Sequence, residues 1–353
     1  MSPAGTFAEL LSGVRAHVDV ALAKWLAPRV AIAADVSAEV GAAAECVQGL
    51  AVRGGKRMRA ALVAASYVAC TEASRRDGAE TDWAPVSHAM IAVELLQVYL
   101  LVHDDWMDDD DVRRGGPAVH VQLRERLGSK RQGDAAAILA GDLACGYSQS
   151  ALLESPLPAE RVLAAAKAFA RIQEEVVTGQ LAEMSEKPSV EVIHALKTAS
   201  YTVTGPLAIG AHLAGASESQ VAQLARYGRP LGIAFQLRDD LLGTFGDTTA
   251  TGKPVGNDIR QGKRTALVAE LRGNTQAEAL LSRALGRADA SDADIAEVVR
   301  MMDTSGARAR VEARVTELLG ETRAALGAMG FAEGSAGERW LAGAVRALGE
   351  RSA

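Results

Sequence analysis

One predicted helix, 84–108, carries an apolar run at 98–102 (Val-Tyr-Leu-Leu-Val) straight into six aspartates within the eight positions 104–111. No other feature constrains the fold as tightly. The apolar run asks for burial. The aspartates ask for a cation, because clustered like charges repel. On a helix Asp104 and Asp108 are i, i+4 neighbours, as are Asp105 and Asp109. Two stacked pairs make a carboxylate face suited to a hard cation such as Mg2+. A solvated acidic turn would give the same letters. The apolar helix leading in and Arg113-Arg114 leading out weigh against that reading.

The remaining sequence is helical in pattern. Alanine is abundant and aromatic residues make up 4% of the 353 positions, which favours helix over strand. Helical periodicity covers 7–27, 38–50, 57–71, 134–153, 159–183, 189–214, 217–243 and 262–271, and three more helices fill 274–351. Gly54-Gly55, the polar stretch 71–83, Gly115-Gly116-Pro117, Pro156 to Pro158, Pro188 and a loop at 243–262 separate them. No strand alternation persists, so the expected fold is one all-α domain, 1–353, with a mobile N-terminus of a few residues. An apolar content of 48% is ample for its core.

Composition also excludes partners. A net charge of −6 argues against nonspecific nucleic-acid binding. Cys46, Cys70 and Cys145 lack metal-ligand spacing, and their odd count without a signal-peptide pattern fits a reducing cytoplasm. No apolar run approaches the ~18 residues that span a bilayer, so no membrane span is expected.

A second acidic pair, Asp239-Asp240, closes another long apolar helix in Phe235-Gln-Leu-Arg-Asp-Asp. Alone it could be a helix end carrying exposed charge. With the first cluster it could face it across a bundle and bind several ions. Basic residues are grouped as well. Gly54-Gly55-Lys56-Arg57-Met58-Arg59 opens a helix, where a free backbone and a positive helix end suit an anion. Arg113-Arg114 follows the first aspartates, Lys197-Thr198 lies mid-helix, and Lys253 and Lys263 flank Asp258. Together these describe a polyanion held by metal and by Lys/Arg, with diphosphate the obvious candidate.

These residues, taken in order from Gly54 to Arg264, resemble the trans (E) isoprenyl diphosphate synthases of the polyprenyl synthetase family. The resemblance rests on Gly-Gly-Lys-Arg-Met-Arg, Asp104-Asp-x-x-Asp with its trailing Arg-Arg-Gly, Gly179-Gln180, Lys197-Thr198, Gln236-x-x-Asp-Asp, and the Gly-Lys…Gly-Lys-Arg of 252–264. It implies antiparallel helices around a deep central cavity and a homodimer. It implies Mg2+, three ions, with Mn2+ as an alternative metal. Asp104 and Asp108 would bind metal on the allylic diphosphate, supported by Asp105, and Asp239 would bind a further ion, with Asp240 nearby. Arg113, Lys197 and Lys253 would contact the allylic diphosphate. Lys56, Arg59 and Arg114, with Gln97 beside them, would hold isopentenyl diphosphate. Thr198 and Gln236 would line the reacting centre, and Lys263 would belong to a closing loop.

The implied reaction condenses isopentenyl diphosphate with a dimethylallyl, geranyl or farnesyl diphosphate by ionisation, addition and proton loss. Two departures stand out. Gly243 occupies the last position of the second motif, usually Asp, and Glu183 stands where many members have Asp. Asp247 could help, though Gly243 and Gly246 argue against a continued helix. His103 reads as a polar contact beside the aspartates rather than a base. Upstream of Asp104, Tyr99 and Leu100 would set product length, since one helical turn of ~5.4 Å is about one five-carbon unit. One aromatic, at Tyr99, favours a C20 over a C15 product under the resemblance.

Other classes fit less well. A terpene cyclase would need Ser and Glu after Asn257-Asp258, but Gln261 and Thr265 occupy those positions. A calcium loop starting at Asp104 would need Gly at 109 and Glu at 115, where Asp109 and Gly115 stand. A non-catalytic subunit of a heteromeric synthase is the remaining alternative, with Gly243 as its mark.

Overall fold

The structure, a computed structural model, describes residues 5–71, 82–185, 187–246, 256–287 and 289–350. Its helices are α1 (Phe7–Val36), α2 (Ala38–Val52), α3 (Met58–Cys70), α4 (Ser87–Met107), α5 (Val119–Arg126), α6 (Lys130–Leu153), α7 (Ala159–Glu183) and α8 (Val190–Ile193). A π-helical segment, His194–Thr204, leads into α9 (Gly205–Ala214). There follow α10 (Glu218–Phe245), α11 (Asn257–Arg260), α12 (Ala266–Leu271), α13 (Thr275–Ala284), α14 (Asp292–Thr304), α15 (Ala307–Gly327) and α16 (Ala336–Gly349). Among the described residues the only strands are β1 (Val112–Arg113) and β2 (Gly116–Pro117). The all-α expectation holds.

Local chemistry starts the helices where it should. Thr6 and Glu9 form a reciprocal capping box on α1, and Ser37, Ser129, Ser189, Thr265, Asn274 and Ser291 cap later helices through their side chains. Each such cap is worth about 1 kcal/mol. Two sequence expectations fail for identifiable reasons. Helix α1 does not end before Pro28 but runs to Val36, because Trp25, Leu26 and Ala33 are buried on both sides of the proline. The tail holds four helices rather than three, since Gly286 at φ 69° breaks the chain between α13 and α14 without a proline.

The chain divides into two compact units. The first comprises Met1–Phe169, Pro206–Val221 and Ala332–Trp340; the second comprises Ala170–Gly205, Ala222–Phe331 and Leu341–Ala353. In the first, α4 lies along α6, α1 on α2, and α5 on α6. Leu22, Leu26, Leu62, Met90, Leu95, Leu96, Val102 and Leu123 are fully buried there. In the second, α13 and α14 pair, and α12 packs on α14 and α15, with Leu267 of α12 and Val298 and Met302 of α14 buried. Tyr227 donates its hydroxyl to the Leu341 carbonyl at 2.7 Å, which satisfies a phenol buried in that core.

Among the described residues one helix, Ala84–Met107 with its leading turn, is long and apolar enough to cross a membrane by length and composition. This corrects the expectation that no run approaches that length. The share of its most apolar window buried inside the protein is 61%, and α4 packs on α3 and α6, so its apolarity serves a core.

One buried ion pair ties the first unit together. Arg57 is 2% exposed and adopts φ 51° at the start of α3. Its Nε donates to Asp19 Oδ1 of α1 at 2.8 Å, its Nη1 to Glu94 Oε2 of α4 at 3.0 Å, and its Nη2 to the Ala51 carbonyl of α2 at 2.7 Å. Removing one partner strands the other charge. Glu94→Leu is therefore expected to destabilise the protein by about 3–5 kcal/mol, and urea unfolding of the variant against wild type checks this.

Candidate active site

The first acidic motif is built by the last turn of α4. Asp104 is half-buried, Asp105 has no exposed surface, and Asp108 is exposed at the helix C-cap. The motif is thus divided. Asp105 Oδ1 accepts from Arg113 Nε at 2.7 Å, and Arg113 also reaches Asp110 Oδ2 at 3.3 Å. Burial pushes the Asp105 carboxyl up, against the Arg113 bond that lowers it. Asp104 and Asp108 stand one turn apart on the more open side. Arg113, read from sequence as a diphosphate ligand, is here the counter-ion of Asp105.

The chain after Asp108 turns sharply to bring Arg113 back. Asp109 takes φ 52°, and β1 and β2 pair in the register Val112↔Pro117 and Arg113↔Gly116. The connecting residues Arg114 and Gly115 have φ 53° and 73°, as a two-residue type I′ hairpin requires. Arg114 pays for this left-handed conformation by roughly 1–2 kcal/mol. Gly116 leaves room for Arg53, since a Cβ there would lie 2.7 Å from Arg53 Nη1. That nitrogen donates to the Arg113 and Pro117 carbonyls at 3.1 and 3.0 Å.

The hairpin places Arg114 against α2 and α3. Its Nη1 donates to the Leu50 carbonyl at 3.2 Å. Burial holds its guanidinium below the usual range, helped by the charges of Arg57, Arg59 and Arg113 and opposed by Glu94. Four guanidiniums thus act on one another here, and Glu94 already serves Arg57. An anion would relieve such a cluster. Arg59 is buried, Lys56 is exposed just before α3, and Gln97 is half-buried on α4.

In the second unit, α7 meets the π-helical segment closely. A Cβ on Gly179 would lie 2.5 Å from the Lys197 backbone nitrogen. Lys197 Nζ pairs with Glu183, so the longer carboxylate at 183 reaches it. Wide π turns expose backbone and recur at functional sites. Thr198 donates its hydroxyl to Gln236 Oε1 at 2.9 Å, and Gln236 Nε2 donates to Asp240 Oδ1 at 2.9 Å. Asp240 Oδ2 accepts from the Ala266 N–H at 3.3 Å and faces His194 Nε2 at 3.5 Å. Asp239 beside it is exposed. This pair is therefore divided like the first, one carboxylate buried and one open. Lys263 Nζ stands 3.6 Å from Asp258 Oδ1.

Sequence reasoning missed Arg57 and two buried histidines. His194 is pushed down to about 4 by burial, so it is neutral beside Asp240. His120 has no exposed surface and lies 3.8 Å from Asp111 Oδ1. Glu94, the one carboxylate inside an apolar stretch of α4, was the available signal for Arg57. The expected end of this helix at Gly243 is also corrected, since α10 continues to Phe245. Lys253, Asp247 and the first four residues lie outside the described residues.

Burial pushes the Asp240 carboxyl from 3.8 up to about 7, against hydrogen bonds from Gln236 and Ala266 and with the charges of Asp258 and Asp239. A carboxyl raised by folding contributes stability that is full below about pH 4 and is lost as pH climbs through about 7. The Asp240 carboxyl carbon is expected to titrate near pH 7 in a 13C NMR series; a midpoint near 4 would contradict the buried placement.

Residues 42–302 match the polyprenyl synthetase family. The short chain isoprenyl diphosphate synthase of Methanocaldococcus jannaschii is 33% identical over 261 residues, 71% of this chain and 73% of that protein. The geranylgeranyl diphosphate synthase of Sulfolobus acidocaldarius is 35% identical over 242 residues, covering 66% and 68%. A geranylgeranyl pyrophosphate synthase from Corynebacterium glutamicum, solved with isoprenyl diphosphate and magnesium, superposes with a TM-score of 0.84 at 31% identity, covering 99% of this chain and 100% of that one. The divided acidic motifs, the arginine cluster and these matches place the chain in the polyprenyl synthetase family.

Proposed function

We propose that this chain is a prenyltransferase that joins isopentenyl diphosphate to an allylic diphosphate (dimethylallyl, geranyl or farnesyl) and yields a short all-trans prenyl diphosphate, with C20 the favoured product. The reading treats 1–353 as one catalytic domain. The observation that carries it is the buried arginine cluster around Arg114. A reaction on one diphosphate has no use for a second cation site, whereas condensation of two diphosphates needs one.

Mg2+ fits the donor set. Among the described residues no three Asp, Glu, His or Cys side chains converge on one point. Mg2+ is commonly held by one or two carboxylates together with substrate phosphates and water, which is what Asp104 with Asp108, and Asp239, offer. When bound, the ions neutralise the leaving diphosphate as Lewis acids; three ions, with Mn2+ as an alternative, complete the proposal. The protein's own groups do the rest. Asp105 and Asp240, buried and hydrogen-bonded, hold the ends of their helices. Arg59, Arg114 and Lys56 take the diphosphate of isopentenyl diphosphate, Lys197 and Lys253 that of the allylic substrate. The allylic C–O bond breaks, a C–C bond forms to the isopentenyl double bond, and a proton leaves to the released diphosphate. Thr198 is oriented by Gln236 at the reacting centre.

A homodimer and a cytoplasmic setting belong to the same proposal. In the first unit Leu139 on α6 is 65% exposed and Leu163 on α7 is exposed as well, which supports a covered surface there. Three free thiols support a reducing compartment.

Purified protein with isopentenyl diphosphate, Mg2+ and C5, C10 or C15 primers should give labelled C20 product; no product from any primer would overturn the reading. In the same assay Arg114→Met should raise KM for isopentenyl diphosphate at least tenfold, as expected for losing a charged hydrogen bond of about 1.5–3 kcal/mol, with KM for the primer little changed. Tyr99 packs edge-on to His103 with centroids 4.9 Å apart, which fixes its ring below the aspartates. Tyr99→Ala should lengthen the product, read by chromatography of the dephosphorylated alcohols; an unchanged chain length would remove Tyr99 from the floor of the site.

A further inference from the structure

Helix α2 ends on Gly49 to Val52, whose carbonyls have no complete turn after them. All four are taken. The Arg53 N–H donates to Gly49 at 3.0 Å and the Gly54 N–H to Val52 at 2.8 Å. Arg57 Nη2 donates to Ala51 at 2.7 Å, and Arg114 Nη1 to Leu50 at 3.2 Å. The negative end of the helix thus collects two guanidiniums. The Arg53 side chain goes to the hairpin instead. Its Nη1 donates to the Arg113 carbonyl of β1 at 3.1 Å and to the Pro117 carbonyl of β2 at 3.0 Å, so one nitrogen bridges both strands. Gln122 Nε2 of α5 donates to the same Pro117 carbonyl at 2.9 Å. The hairpin needs an outside hold, because Arg114 in its turn sits at φ 53°, which an arginine disfavours. The two arginines it carries are not equally secured. Arg113 is paired with Asp105 and Asp110. The Arg114 side chain makes one hydrogen bond among the described residues, to Leu50.

We propose that Arg53 is a positioning residue for isopentenyl diphosphate: by bridging the Arg113 and Pro117 carbonyls it holds the hairpin where Arg114 joins the guanidinium cluster. This deepens the reading above and rests on Arg114 taking that diphosphate. Arg53 acts through the backbone of the hairpin and not as a ligand. Without the bridge Arg113 keeps its two carboxylates, whereas Arg114 keeps one carbonyl. The effect of losing Arg53 therefore falls on isopentenyl diphosphate and spares the allylic primer. An Arg53 that served only as a cation at the end of α2 would change stability without favouring either substrate.

A double-mutant cycle separates these accounts. Isopentenyl diphosphate is titrated by calorimetry, without primer, into wild type, Arg53→Met, Arg114→Met and the double variant. Arg53→Met should weaken binding about 3–10-fold, the scale of one or two lost hydrogen bonds. The double variant should bind no more weakly than Arg114→Met alone. Losses that multiply in the double variant would make Arg53 an independent cation or a ligand and overturn the proposal, as would wild-type affinity in Arg53→Met. In turnover, Arg53→Met should raise KM for isopentenyl diphosphate while KM for the primer stays near wild type; equal rises in both would also overturn it. If Arg53→Met fails to fold, Gln122→Leu releases the same Pro117 carbonyl without removing a charge. It should weaken binding when Arg114 is present and not in Arg114→Met, and wild-type affinity there would count against the hairpin's role. A wild type that binds isopentenyl diphosphate but makes no prenyl product would sink the condensation reading, while the binding cycle would still judge Arg53.

Discussion

A buried carboxylate needs a partner, and the geometry around the first acidic motif follows from how Asp105 obtains a cation. Its partner, Arg113, is only eight residues further on, so the chain must reverse at once. That reversal takes Asp109 into the left-handed region and closes a type I′ hairpin through Arg114 and Gly115. The same hairpin then delivers Arg114 to α2 and α3, where the other guanidiniums lie. The placement of the acidic turn and that of Arg114 are thus two results of one ion pair. The strain at Asp109 and Arg114, about 1–2 kcal/mol each, is tolerable because the alternative is an uncompensated buried charge costing several.

The second unit repeats the division with different chemistry. Asp240 is buried and has no arginine. It is held instead by an amide, a backbone N–H and a neutral imidazole, and its carboxyl rises accordingly. In both pairs one aspartate is buried and hydrogen-bonded and its neighbour is more exposed. Adjacent aspartates in an acidic motif are therefore not equivalent, although the sequence writes them identically. Burial alone distinguishes them, and burial depends on which side of the helix packs.

The sequence makes the helical class legible, and one helix, 159–183, coincides with α7. It hides α5, whose eight residues include three charged ones and little apolar period. The π-helical segment is hidden too, because widening a helix leaves its apolar spacing almost unchanged. Among site residues, the aspartates, Thr198, Gln236 and the basic groups are readable from type and order. Their division of labour is not. Arg57 and Arg59 look alike in the string Lys-Arg-Met-Arg, yet Arg57 spends its hydrogen bonds on three helices. The neighbour of Gly243 is hidden as well, because Asp258, whose Oδ2 lies 2.8 Å from where a Cβ at 243 would be, is fifteen positions away in sequence.

The same packing logic extends one turn back along α4, to the residues before Asp104. His103 lies between Tyr99 and α6, and its Nε2 is 3.0 Å from the Ile138 carbonyl. Beneath it, a Cβ on Gly141 would come within 2.2 Å of that nitrogen, so the glycine leaves the space that the ring occupies. His103 directly precedes Asp104 on the same helical turn. The residue that holds the Tyr99 ring edge-on is therefore joined through the backbone to the residue that begins the acidic motif, so the packing of α4 on α6 bears on both.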